Sequence, residues 1–127
     1  MGLSNKDFGR IYTTIKRGFA RSDTYYKVLM KAKSRTNKGV RGGAKYICAV
    51  CGKAYSRKDV QVDHVDPVVP VNIATTDMSW SEIIPRIYCS PDNLQVLCRG
   101  CHQKKSIEEN KIRREIRKQK KEAEQCI

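Results

Sequence analysis

Two Cys-x-x-Cys pairs, Cys48/Cys51 and Cys98/Cys101, constrain this chain more than any other element of its sequence. The spacing lets two thiolates of one tight turn reach the same tetrahedral metal, and two such turns complete a four-sulfur zinc site. The N-terminus MGLSNKDFGR lacks the apolar stretch of an export signal, and no run of roughly 18 apolar residues occurs, so the chain reads as cytosolic, with no membrane partner. Thiols in a reducing compartment bind metal more readily than they pair, which favours structural Zn²⁺ over a disulfide or a redox CxxC. Cys89 and Cys126 fall outside the pattern and read as a small buried hydrophobe and a tail residue.

A plain four-cysteine finger separates its pairs by about 15 to 20 residues. Here the gap is 46 residues, so a sizeable element is inserted between the knuckles. Zinc would then act as a clamp that brings the neighbourhoods of residues 64 and 102 together. At 127 residues the chain has room for one compact domain with short appendages, and a core that small gains from such a crosslink.

The formal net charge is +13, which points to a polyanionic partner, nucleic acid first. The excess is uneven. Residues 1–47 hold twelve Lys/Arg against two Asp/Glu, whereas 48–106 hold seven against six and 107–127 seven against five. Arg10, Lys16, Arg17, Arg21, Lys27, Lys31, Arg35 and Arg41, together with Lys33, Lys38 and Lys45, are therefore candidates for phosphate contacts, with a solvated helix face as the alternative.

Local patterns predict the elements. Ser4 is a candidate N-cap for a helix that places Phe8, Ile11, Tyr12 and Ile15 on one face and ends or weakens at Gly18. A second helix starts at Ser22 or Asp23 and presents Tyr26, Leu29 and Met30. SRTNKGVRGGAK reads as a basic linker. KYICAV and VQVDHV are β-type runs that would pair as a hairpin across the first knuckle. Residues 66–92 form a long connection with a short helix between Ser79 and Tyr88 that Pro85 would break or kink. After the second knuckle a long charged helix carries a sparse stripe of Ile107, Ile112 and Ile116.

Only two histidines exist, His64 and His102, and both lie beside acidic or metal-ligating positions. Strand alternation would send Asp63 and His64 to opposite faces unless the chain bends, and Pro67 allows a bend. CxxC, then VDHVDP, then DNLQVLCRGCHQKKS resembles, over residues 45–106, the HNH endonucleases of the ββα-metal type within the His-Me finger superfamily. The basic N-terminal segment and SWSEIIPRIYCSPDNL are similar to small free-standing bacteriophage HNH proteins of the homing type.

The resemblance implies an α+β fold: a zinc-stabilised ββα-metal core at 45–106, a basic helical extension and linker at 1–44, and a charged C-terminal helix at 107–127. It implies that Asp63 and His102 ligate a catalytic divalent ion, Mg²⁺ or Mn²⁺, with Ni²⁺ also suited to a histidine ligand. It assigns His64 as general base, Asn93 as the residue holding the His64 loop by hydrogen bonds, and Lys105 as a phosphate contact. The implied activity is hydrolysis of double-stranded DNA to a 5′ phosphate and a 3′ hydroxyl in a bacterial host cytoplasm. One such site cuts one strand, so a homodimer or successive nicks would be needed for a double-strand break. The alternatives are a non-catalytic zinc-ribbon module that binds nucleic acid and an accessory factor for phage DNA packaging, partnered with a terminase or another phage protein.

Overall fold

The computed structural model describes residues 2–34 and 43–125. Arg35, Lys38, Arg41 and Cys126 lie outside the described residues. Helix α1 (Asn5–Phe19) starts where Ser4 Oγ accepts the Asp7 amide at 3.1 Å. Such a cap satisfies one of the amides that the first helical turn leaves unpaired. Ser22 caps α2 (Asp23–Lys31) in the same way, through the Tyr25 amide at 3.2 Å.

Two local expectations need correction. Gly18 does not end α1, which runs on to the buried Phe19. A Cβ at position 18 would lie 2.9 Å from the Tyr88 hydroxyl, so the glycine accommodates a close approach between segments. On α2 the inward residues are Tyr25, Val28, Leu29 and Met30, whereas Tyr26 is 62% exposed. Both stripes share Leu29 and Met30, and periodicity alone does not choose between Tyr25 and Tyr26. The choice is made by tertiary partners: the Val62 amide reaches the Tyr25 hydroxyl at 3.4 Å, and the Phe19 ring meets Tyr25 edge-on at 5.7 Å.

The strand pairing also differs from the expected hairpin. β1 (Lys45–Ile47) pairs antiparallel with β2 (Ala54–Ser56), while β3 (Val60–His64) pairs antiparallel with β4 (Leu94–Cys98) in the register Val60↔Cys98 to His64↔Leu94. KYICAV therefore does not pair with VQVDHV. The first knuckle reverses the chain at once, with Gly52 at φ +74 and the Gly52 amide on Cys48 O at 3.0 Å, so residue 54 is already alongside β1. β3 is left free to pair with the strand that returns after the insertion. The Ala49 amide, bonded to Val96 O at 2.8 Å, ties the knuckle to β4.

Within the insertion, α3 (Trp80–Ile87) continues through Pro85 rather than breaking there. The amide that proline lacks would have paired with the first turn, at the exposed Ser81, where water can satisfy the carbonyl. Ile83 and Ile87 are fully buried and anchor the helix in a core with Phe19, Val68, Met78 and Leu94. A second cluster joins Leu29, Tyr46, Val60 and Val96, and a third consists of Cys48, Leu97 and Cys98.

Helix α4 (Arg99–Gln125) follows β4 without a break, includes Cys101 and His102, and continues straight across residue 106. No described residue of α4 is buried, and Ile107 is 56% exposed, so the isoleucines form no core stripe. Strong helix formers sustain it. The observed class is α+β, with two small antiparallel sheets and a β3–β4–α4 unit at the centre. Among the described residues, no helix is long and apolar enough to cross a membrane.

Candidate active site and metal centre

Cys48 and Cys51 flank the first knuckle turn, Cys98 ends β4 and Cys101 lies in the first turn of α4. Their Sγ atoms all lie within 4.8 Å of one another. Four zinc–sulfur bonds of about 2.3 Å in a tetrahedron place sulfurs about 3.8 Å apart, so the cluster suits a closed four-thiolate site with small adjustments. All five described cysteines carry free thiols.

The thiols are electrostatically unequal. The Cys101 amide donates to Cys98 Sγ at 3.4 Å and, as the largest influence, lowers the Cys98 pKa to about 6. The neighbouring Cys98 thiol pushes Cys101 up to about 12. A hydrogen bond with the Tyr55 hydroxyl at 3.3 Å lowers Cys51. A metal ligand must be a thiolate, so a cation bound by this cluster would displace the thiol protons that remain.

On β3 the pleat separates Asp63 from His64. Asp63 points toward α4, where His102 Nε2 lies 3.7 Å from Oδ1 and Lys105 Nζ lies 2.9 Å from Oδ2. His64 points the other way: its Nε2 lies 2.8 Å from Ile87 O, and its ring centre is 5.4 Å from that of Phe19. A carbonyl only accepts, so Nε2 carries a hydrogen, and the tautomer with this bond keeps its lone pair on Nδ1. Both residues nevertheless line one cleft of about 810 Å³, which also takes in His102 and Lys105.

Asn93 grips the segment just after His64. Its Oδ1 accepts the Asp66 amide at 2.9 Å, its Nδ2 donates to Asp66 O at 3.3 Å, and the Val65 amide donates to Asn93 O at 2.8 Å. Arg86 holds the next stretch by donating to Pro67 O at 2.7 Å and to Val68 O. Together these bonds make the turn after β3 a fixed one.

Lys105 is fully engaged inside the protein. Beyond Asp63 it donates to His64 O at 2.8 Å and pairs with Glu109 Oε1 at 2.6 Å. Partial burial works against its ammonium, but the hydrogen bonds to Glu109 and Asp63 outweigh this and raise its pKa above the ordinary lysine value. Across the cleft, Lys16 of α1 sits over the Tyr12 ring at 5.4 Å.

Arg10, Arg17, Arg21, Lys27 and Lys31 are exposed but do not line this cleft. Arg113, Arg117 and Lys120 of α4 do line it, and sequence reasoning missed them. Counting charge by segment averages over the helix and hides a one-sided distribution. The spacings of 113 to 117 and 113 to 120, which return to the same helical face, were the available signal.

No family model matches the chain, and no solved structure matches it. A protein of Lactococcus phage SK1 named "Probable HNH endonuclease" is 36% identical over 70 residues, or 54% of this chain. The chain spans 63% of that relative's length. Together with the β3–β4–α4 unit and the four-cysteine cluster, this similarity makes HNH proteins the relatives to which the chain is best compared.

Proposed function

We propose that this chain is an HNH endonuclease that hydrolyses phosphodiester bonds of double-stranded DNA, with structural zinc on Cys48, Cys51, Cys98 and Cys101. The observation that carries this reading is that Asp63, His64, His102 and the Asn93-clamped turn meet around one cleft with cationic walls. Asp63 Oδ1 and His102 Nε2, 3.7 Å apart, would hold a divalent ion with two protein donors. That number suits Mg²⁺ or Mn²⁺, which take further oxygens from phosphate and water, and the imidazole also suits Ni²⁺. When bound, the ion supplies charge stabilisation to the phosphate and to the departing 3′ oxygen.

His64 Nδ1 takes a proton from the attacking water, because Nε2 is occupied by Ile87 O. The new P–O bond forms in line as the bond to the 3′ oxygen breaks, leaving a 5′ phosphate and a 3′ hydroxyl. Asn93 touches no phosphate. It keeps the His64 turn in register, so a base aimed by two anchors loses no orientation as the substrate arrives.

Lys16, Arg113, Arg117 and Lys120 contact the DNA backbone in the cleft, with Arg10, Arg17, Arg21, Lys27, Lys31, Arg35 and Arg41 on the flanking segment. The working place is a bacterial host cytoplasm, with the segments 1–44, 45–106 and 107–127 serving as extension, nuclease core and helical wall.

Incubation with supercoiled plasmid and Mg²⁺ or Mn²⁺ tests the activity: relaxed or linear product is expected, and unchanged plasmid would refute it. Plasmid that is bound but never cut would favour the zinc-ribbon binding module instead. A second expectation concerns the wall of the cleft. Arg117→Ala should lower the slope of log affinity against log salt by about one, because one fewer phosphate-bound counterion is released. Filter binding at several salt concentrations in the absence of divalent ion measures this, and an unchanged slope removes Arg117 from the contact surface.

A further inference from the structure

An ammonium has three hydrogens, and in Lys105 each has a partner: Asp63 Oδ2 at 2.9 Å, His64 O at 2.8 Å and Glu109 Oε1 at 2.6 Å. None is left to offer a DNA phosphate. Glu109 in turn lies 3.9 Å from Arg113, which donates to Val69 O at 2.9 Å. Two carboxylates and two cations thus form one row, from Asp63 of β3 to Arg113 of α4, with no net charge. The four side chains are only 15 to 28% exposed, so their charges act on one another with less screening than surface charges feel.

A divalent cation approaching Asp63 and His102 therefore meets no surplus negative charge from this row. It also meets an ammonium already bonded to the carboxylate it would ligate. We propose that Lys105 is the residue that keeps the Asp63–His102 pair weak toward free divalent ions. The ion is then retained only when a nucleic-acid phosphate adds the missing negative charge and oxygen ligands. This rests on the reading that Asp63 and His102 hold the ion. It assigns Lys105 to positioning and charge balance rather than to phosphate contact. Its consequence is coupling: ion and phosphate each strengthen the binding of the other, as linked ligands must.

The test is a titration of the zinc-loaded full chain with Mn²⁺ in the absence of nucleic acid, with unbound Mn²⁺ read by electron paramagnetic resonance. Removing one cation beside the carboxylate should tighten binding, so Lys105→Gln is expected to bind Mn²⁺ about tenfold more tightly than the native protein. Lys105→Arg should keep the native affinity, and Glu109→Gln, which removes a negative charge, should bind more weakly. Effects of opposite sign from two neighbouring substitutions do not arise from partial unfolding, and zinc content checks the fold. Adding Asp63→Asn to Lys105→Gln should abolish the gain. Equal or weaker binding by Lys105→Gln, a gain that survives Asp63→Asn, or no Mn²⁺ binding by any of the proteins overturns the proposal. Plasmid cleavage is scored separately, so failure of the nuclease reading is distinguishable from failure of this one.

Discussion

Cys98→Ser is expected to abolish the cooperative unfolding transition and to leave the protein without stoichiometric zinc. Cys98 is 5% exposed, ends β4, packs against the fully buried Leu97, and lies one residue before α4. Losing its thiolate opens the four-sulfur cluster and uncouples β4 from the first knuckle. Structural zinc contributes on the order of 10–16 kcal/mol in zinc-finger peptides, whereas a domain of this size is stable by only about 5–15 kcal/mol. Most of the net stability is therefore at stake, and Cys48→Ser, at a residue 1% exposed, should behave alike. Cys89→Ser provides the contrast, since Cys89 lies outside the sulfur cluster and should keep both zinc and fold. Metal analysis and thermal melting by circular dichroism read the result, and a cooperative melt in zinc-free Cys98→Ser would refute the clamp.

His64→Gln is expected to reduce DNA cleavage by about 10²- to 10⁴-fold, the range over which a positioned base contributes. Glutamine is the sharper substitution because its amide can still donate to Ile87 O, the carbonyl of a fully buried residue. Alanine would leave that carbonyl unpaired and cost about 1–3 kcal/mol of stability, mixing a folding effect with a catalytic one. The glutamine variant keeps the donor but has no basic nitrogen. Zinc content and DNA affinity should stay native while single-turnover cleavage collapses. Cleavage within tenfold of the native rate would remove His64 from the proton-transfer role.

How far the site could be read from sequence varies by residue. The cysteine pairs were legible because a metal-binding turn is a local object, and four residues decide it. Ser4 and Ser22 were legible as caps for the same reason, since each side chain serves an amide three residues on. The context of the two histidines drew attention to them, but roles for Asp63, His64, Asn93 and His102 came only through resemblance to a family. Nothing in the spacing of residues 63, 93 and 102 requires them to meet.

Long-range pairing settled the rest. Two β-type runs flank the first knuckle, and neither alternation nor composition tells whether they pair with each other. The tight turn at Gly52 gives β1 a partner by residue 54, and β3 then takes the strand beyond the insertion. The resemblance assigned Lys105 a phosphate contact, and a sequence does not show the neighbours of a lysine. Its three acceptors come from positions 63, 64 and 109, and the first two are brought in by β3. The same holds for Arg113, Arg117 and Lys120, whose segment is nearly balanced in charge and becomes a cationic wall only because α4 turns that face to the cleft.

The sequence by itself determined the four sulfur donors, the helix starts and the excess of positive charge, since each depends on residue type or on neighbours within a turn. Only the tertiary structure decided which strands pair, which helix face borders the cleft and which charges are already neutralised. Those outcomes depend on contacts between residues dozens of positions apart, whose chain-entropy cost is met by packing that no local pattern records.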